Sequence, residues 1–436
     1  MHIPTRRRAL PIALAATLVG GVVVLLPSTA LAGGDGHGGH GHGHHARSVI
    51  FVNGDGMAAA HREAARLDQV GFEGELAMDS LGVTGLQTTD PRDPEDTVTD
   101  SAAAASAWAT GVKTYNGAIS VDVDGNPLPT IGAEAREAGL ATGLVTTAQV
   151  TDATPAAFFS NSVDRSAQDD IARQYLEVTR PQVVLGGGED WWLPAGVEGT
   201  YPPLGETDDP EVSRSTQGDL VAEAEGLGYT YVDTAAEFAA ADSDKLLGLF
   251  ANEEMFQQRP EGEGDEFDPV VPLADMASKA LDVLSEDEDG FFLLIEEEGV
   301  DEMSHDNNGT RMLEAMRSLE AAVDVARAYV AEHPDTLLIV TGDHECGGLT
   351  IEDVDPADES GPGGTLTPED GATVSGEDGP FAVAGTTDKE FALDWTTTAH
   401  TGAPTVVTAT GPHSRDLVGY YPNTHLHEVV REVLLG

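Results

Sequence analysis

The sequence predicts a three-layer α/β/α sandwich around a central, mainly parallel β-sheet. Short apolar runs recur along the chain, and several stop at glycine or at an acidic residue. Stretches with helical spacing of apolar residues lie between them. The acidic and histidine side chains gather just beyond the runs, where ligands bind in open parallel sheets. Runs that are apolar at every position read as strands buried on both faces. Alternation of such strands with helices gives a layered α/β domain.

In chain order, Val49-Ile50-Phe51-Val52 leads into Asn53-Gly54-Asp55-Gly56. Leu144-Val145 leads into Thr146-Thr147, and Val183-Val184-Leu185 into Gly186-Gly187-Gly188. Phe291 to Ile295 leads into Glu296, and Leu337 to Val340 into Thr341-Gly342-Asp343-His344. Met312, Met316, Leu319, Val323, Ala326 and Val330 recur at helical spacing and read as core. Residues 189–270 and 351–392 break the alternation with Pro, Gly and acidic residues and read as surface insertions, the first holding one helical stretch near 218–227.

The N-terminus reads as a targeting segment. Arg6-Arg7-Arg8 precede an apolar run from Ala9 to Leu26, and Ala30-Leu31-Ala32 offers a cleavage site, so residues 1–32 form a secretory signal. Thr5-Arg6-Arg7 fits export by the twin-arginine route. Residues 33–47 are a flexible His/Gly-rich linker. The globular domain is expected over 48–436. No later run is long and apolar enough to span a bilayer, so the mature protein is expected outside the cytoplasm, secreted or in the cell wall or periplasm, without a stable membrane anchor.

There are 76 Asp and Glu against 22 Lys and Arg, a formal charge of −54. That field repels nucleic acid and anionic membranes as partners. It also repels phosphate esters at long range, so an enzyme acting on them needs a locally positive site, which bound metal ions supply. The single cysteine, Cys346, excludes an intrachain disulfide and a multi-cysteine zinc site.

Taken singly, the polar candidates have ordinary readings. Asp55 and Asp343 suit turns or helix caps. Asp301 and His305, four residues apart, share a helix face and suit either an ion pair or one metal ion. His400 is a lone histidine. Ser101 opens the Ala-rich helix former 102–109, and Ser101 or Asp100 suits an N-cap. A helix N-terminus also favours a bound anion. A serine without a neighbouring base needs a metal ion to become a nucleophile. Taken together, three histidines and several carboxylates suit more than one ion, and two close ions suit in-line displacement at phosphorus.

The segment Thr99 to Gly117, TDSAAAASAWATGVKTYNG, resembles the nucleophile motif of alkaline phosphatases. Asn53 to Met57 resembles the family's first metal-binding turn. Asp152-Ala-Thr-Pro155 with Arg165 resembles its magnesium and phosphate-clamp segment. Glu296 to His305 and Thr341 to His344 resemble its paired metal motifs, and Thr398 to Gly402 its last zinc segment. These segments occur in the family's order between about Ser48 and Gly436.

The resemblance implies an alkaline-phosphatase-like fold and hydrolysis of small phosphate monoesters to alcohol and inorganic phosphate, at alkaline pH, through a phosphoserine on Ser101. It implies two zinc ions and one magnesium ion. Asp301, His305 and His400 would hold the first zinc, and Asp55, Asp343 and His344 the second. Asp55, Asp152, Thr154 and Glu296 would surround the magnesium. Arg165 would clamp the phosphate oxygens, with Asp100 orienting it. Homodimers are common in the family.

Glu302 stands where some members carry Lys or His, which leaves the metal preference at the third site open. In Glu296-Glu297-Glu298, the five-residue spacing to Asp301 selects Glu296. Cys346 reads as a small buried residue, with a metal-binding thiol as its alternative. A phosphodiesterase or sulfatase of the same superfamily, and an exported metal-binding protein without catalysis, are the competing functions.

Overall fold

The computed structural model describes residues 47–201, 213–258, 264, 266–354 and 378–436. The expected signal peptide and His-rich linker lie outside the described residues, Arg47 excepted. Ten strands form one sheet. In spatial order they are β15 (Gly419–Pro422), β2 (Val83–Thr88), β14 (Thr405–Thr410), β8 (Thr336–Thr341), β1 (Ser48–Gly54), β7 (Phe291–Glu297), β3 (Ala141–Gln149), β4 (Val183–Gly187), β6 (Leu246–Leu249) and β5 (Thr230–Val232). All neighbours pair in parallel except β14, which is antiparallel to both β2 and β8. Two strands, β9 (Glu345–Cys346) and β13 (His400–Thr401), make a small antiparallel ladder. A three-stranded antiparallel sheet joins β10 (Leu349–Glu352), β12 (Glu390–Trp395) and β11 (Asp378–Ala382).

The central strands are buried on both faces, and their side chains divide by period two. Ile50 and Val52 pack with the helices Leu273–Leu284 and Gly309–Glu332. Val49 and Phe51 pack on the opposite face with the helices Ser101–Thr110, Ala153–Phe159 and Thr424–Leu435. The six residues expected at helical spacing from Met312 to Val330 all lie buried on Gly309–Glu332. Asn308 starts that helix, its side chain accepting the Arg311 N–H at 3.1 Å.

The region 189–270 departs from its reading as a surface insertion. It contributes β6 and β5 to the edge of the main sheet, both parallel, with Leu246, Leu247 and Leu249 in the core. Strands of four and three residues in an acidic, Gly-rich stretch carry too little pattern to be read from sequence. Within 351–392, the described residues form parts of β10, β11 and β12, while 355–377 lie outside them.

Candidate active site

Strand register assembles the site. β1 is flanked by β7 and β8, with Asn53 opposite both Glu296 and Thr341. Three neighbouring strands therefore end side by side and deliver Asp55, Glu296 and Asp343 to one place. The turn after β1 is tight. Gly56 has φ of +68°, and a Cβ there would sit 2.5 Å from Asp301 Oδ1. Its N–H instead donates to Asp343 Oδ1 at 3.0 Å.

Asp301 and His305 lie on one face of the helix Gly299–His305, with His305 Nε2 3.2 Å from Asp301 Oδ2. His400 Nε2 approaches the same oxygen at 3.5 Å. Both imidazoles are oriented by carbonyls: His305 Nδ1 donates to Thr398 O at 2.7 Å, and His400 Nδ1 to Thr99 O at 2.9 Å. A carbonyl only accepts, so Nδ1 of each ring carries a proton, and both Nε2 atoms face Asp301 Oδ2, where a second ring proton or a cation would sit. The two Nε2 atoms face each other at 3.0 Å. Imidazoles fixed in this way by outer partners are a signature of metal ligation. Asp301, His305, Cys346 and His400 each bring a ligand atom within 4.8 Å of the others.

Asp55, Asp343 and His344 form a second group with the same spacing limit. His344 Nε2 lies 3.1 Å from Asp343 Oδ2, 3.6 Å from Asp55 Oδ1 and 3.2 Å from Ser101 Oγ. The His344 ring stacks on His400 with centroids 3.6 Å apart, so the two groups adjoin. Ser101 is the first residue of the buried helix Ser101–Thr110, which Asp100 caps by accepting the Ala103 N–H at 2.9 Å and which ends at Gly111 in the left-handed region. Ser101 Oγ thus stands at a helix N-terminus and against the second group.

Next to them, the Glu296 carboxylate accepts from Thr146 Oγ1 at 2.7 Å and Asn53 Nδ2 at 3.3 Å, and nearby Thr154 Oγ1 is buried with no hydrogen-bond partner among the described residues. Glu297 turns away, accepting from Thr147 Oγ1 and the Gly299 N–H. Strand alternation thus places Glu296, not Glu297, at the site. Arg165 Nη2 donates to both Asp152 oxygens at 3.0 and 3.1 Å, and Nη1 to Asp100 Oδ2 at 3.4 Å. Its guanidinium is held in a plane by two carboxylates.

The electrostatics ask for cations. Burial, and then Asp343 and Asp301, push the Asp55 carboxyl far above its ordinary range. Burial and Asp301 lift Asp343 to about 7, and burial lifts Glu296 to about 8. Burial opposes ionisation of Asp301 too, but His305 and His400 hold it well below the ordinary value. The His305 pKa rises to about 9 against burial, because of Asp301. Asp55 Oδ1, Asp301 Oδ1 and His344 Nδ1 are buried, with no hydrogen-bond partner among the described residues. Buried acceptors without donors are costly. Nitrogen and oxygen donors crowded this closely fit divalent cations.

A family model described as alkaline phosphatase matches residues 46–435. The chain belongs to the alkaline phosphatase family. It is 34% identical to streptomycin-6-phosphate phosphatase of Streptomyces griseus over 89% of this chain and 90% of that one. It is 31% identical to the alkaline phosphatase of Escherichia coli K12, covering 89% and 86% respectively. Alkaline phosphatase 3 of Bacillus subtilis is 34% identical over 70% of this chain, and the match spans 62% of that protein's length. Among solved structures, the Thermus thermophilus alkaline phosphatase superposes with a TM-score of 0.72 at 26% identity, covering 90% of this chain and 92% of that one. The enzyme from the Antarctic bacterium TAB5 gives 0.69 at 25%, covering 89% and 98%. Enzymes of this family are metal-dependent, in keeping with the donor groups just described.

Around Glu302, which the sequence marks, the site carries further buried acidic groups that the sequence does not single out. Glu298 lies buried against Asp152, with Glu302 and Glu254 near it. Burial first, then Asp301 and Glu254, raise the Glu302 pKa to about 8. Gln149 bridges this group, donating to Glu254 Oε1 at 2.7 Å and accepting from Trp191 Nε1 at 2.6 Å. Only the fold brings these side chains to Asp152.

His61 is the other unread residue. Its Nδ1 accepts the Ala58 N–H at 3.3 Å, so Nε2 carries the proton toward Ser304 Oγ, also at 3.3 Å. Burial lowers its pKa to about 4, against Asp301 and the Cys346 carbonyl, which raise it. The folded state thus binds this proton less well than the unfolded chain. Its stability contribution is complete above pH 6.5 and is lost as pH falls toward 4. We expect wild type to lose about 3 kcal/mol more stability over that range than His61→Gln. Urea titrations of both at pH 7 and pH 4.5 measure it, and equal losses would remove His61 from the account.

Arg165→Lys is expected to keep the charge but lose the two-pronged geometry. A drop in kcat/KM of about tenfold to a hundredfold is predicted. Steady-state assays of the purified variant measure it.

Proposed function

We propose that the chain hydrolyses phosphate monoesters through a phosphoserine on Ser101, at a site holding two zinc ions and one magnesium ion. What supports this most is the pair of carbonyl-oriented imidazoles with facing Nε2 atoms, adjoining a serine at a helix N-terminus and a doubly braced arginine. Asp301, His305 and His400 are assigned to the first zinc, and Asp55, Asp343 and His344 to the second. Asp55, Asp152, Thr154 and Glu296 are assigned to magnesium. A variant of the TAB5 enzyme has Mg bound in its M3 site, which supports a third ion here. When bound, such ions supply Lewis acidity that lowers the serine pKa and stabilises charge on the leaving oxygen.

The side chains do the rest. Ser101 Oγ, giving up its proton to solvent, attacks phosphorus in line as the bond to the alcohol oxygen breaks, and that oxygen takes a proton from solvent to leave as the alcohol. Water then attacks the phosphoserine, releasing phosphate and restoring Oγ. Two inversions give retention at phosphorus. Arg165 grips two non-bridging oxygens with its planar fork. Asp100 and Asp152 fix that fork, and Asp152 links it to the Glu296 side of the site. The −54 charge disfavours approach of anionic esters, so Arg165 and the ions supply the local attraction.

Export by the twin-arginine route is part of the same proposal, supported by Thr5-Arg6-Arg7 and the apolar run after it. Among the described residues, no helix is long and apolar enough to cross a membrane.

The test is an assay on a phosphate monoester, a phosphodiester and a sulfate ester, with isolation of acid-stable phosphoserine from a quenched reaction. Monoester turnover with label on Ser101 is expected. A preference for the diester or the sulfate ester would overturn the proposal. Deleting residues 33–45 is expected to leave turnover unchanged. Loss of all metal binding on that deletion would favour a non-catalytic metal carrier.

A further inference from the structure

We propose that Cys346 is a fourth protein donor to the first metal site, so that the ion there is held by Asp301, His305, His400 and a thiolate. Cys346 and His400 are direct partners in the β9–β13 ladder. Directly opposed residues in an antiparallel pair project to the same face with Cβ atoms about 5 Å apart. The sulfur shares the 4.8 Å grouping with the Asp301, His305 and His400 donor atoms.

The backbone holds Cys346 in place. Its N–H donates to Gly56 O at 3.2 Å, and the Gly347 N–H donates to Ala399 O at 3.1 Å. The side chain is fully buried, and no disulfide is open to it. Beside it, Asp301 Oδ1 is a buried acceptor with no hydrogen bond among the described residues. Both imidazoles are anchored through Nδ1 and turn Nε2 toward Asp301 Oδ2.

Charge balance and softness agree with this assignment. Two neutral imidazoles, one carboxylate and one thiolate offset a divalent ion completely. On binding, the S–H bond breaks, the sulfur–metal bond forms, and the thiol proton leaves to solvent, as does any second proton held by His305. A soft thiolate selects zinc over magnesium at this site. Zinc also accepts a fifth donor, which leaves room for a phosphate oxygen.

This inference rests on the zinc assignment under Proposed function, and cobalt spectroscopy separates the two. Cobalt(II) is added to the full-length, metal-stripped protein. A near-ultraviolet thiolate-to-cobalt charge-transfer band is expected with the intensity of one thiolate-bound ion per chain, alongside visible d–d bands from that ion and from the second site. Cys346 is the only cysteine in the sequence, so no other residue can produce that band. In Cys346→Ser the band is lost while the d–d bands remain, and zinc affinity, measured against a competing chelator, falls at least about tenfold.

Tetrahedral d–d bands without the charge-transfer band in wild type would overturn the Cys346 assignment and leave the zinc site standing. An unchanged zinc affinity in the variant would do the same. Absence of stoichiometric cobalt uptake would overturn the site itself. The wild-type spectrum decides the matter even if Cys346→Ser folds poorly.

Discussion

Ser101→Ala lowers turnover of a phosphate monoester by about four orders of magnitude or more, while the variant still folds and binds phosphate. The size follows from loss of the covalent route. Removing an enzyme nucleophile of this kind costs on the order of 10⁴- to 10⁶-fold in kcat, with binding and electrostatics supplying the remainder. Folding is spared because Asp100, not Ser101, caps the helix, accepting the Ala103 N–H. The Ala-rich segment behind it stays a strong helix former. Single-turnover kinetics with a labelled ester provide the measurement. A variant retaining a tenth of wild-type turnover, or still forming a phosphoenzyme, would show that Ser101 is not the nucleophile.

Metal removal has the second large effect, on both activity and stability. An ion that binds only the folded chain stabilises it by about 4 kcal/mol at a thousandfold excess over its Kd. Stripping the ions also exposes the carboxylates to one another. Asp343 and Glu296 rise to about 7 and about 8 through burial in the bare protein. A carboxyl whose folded pKa is raised binds its proton more tightly folded than unfolded. Its contribution is complete below the unfolded value near 4 and is lost as pH rises through the folded value. The metal-free protein should therefore lose several kcal/mol between pH 5 and pH 8.5. The metal-loaded protein should not, because the ions neutralise the ionised carboxylates. The gap in melting temperature with and without chelator is expected to widen across that range, to on the order of ten degrees. Scans at both pH values check it. A gap that is constant or narrows with pH would separate the ions from this carboxylate group.

The fold was legible where the pattern is local. Fully apolar runs such as Val49 to Val52 and Leu337 to Val340, short and stopped by glycine or polar residues, read as strands buried on both sides, and they are. The helix from Gly309 to Glu332 was legible from its buried stripe. β5 and β6 were not, because three or four residues carry no period. Nor was the antiparallel β14, since direction in a sheet is set by the path of the connections and not by the strand's own residues.

The candidate site divides along the same line. Ser101, Asp301 with His305, and Asp343 with His344 stood out because each belongs to a short local motif. Glu296 was separable from Glu297 by spacing, and strand alternation gives the physical reason. Cys346 was legible only as a small buried residue or, alternatively, a metal-binding thiol, and the roles of His61 and Glu298 were not legible. Cys346 meets His400 across a ladder, and His61 meets Ser304 between helices 243 residues apart. Glu298 meets Asp152 only after β3 and β7 pair.

By itself, then, the sequence determined the layered α/β class, the family resemblance and the residues able to bear the chemistry. Periodicity and short motifs are encoded within a few turns of chain. The tertiary structure alone decided which donors share an ion-sized space, which tautomer each histidine takes and which carboxylates burial drives toward protonation. Those properties depend on register between distant strands and on exclusion of water, and no local stretch of residues contains either.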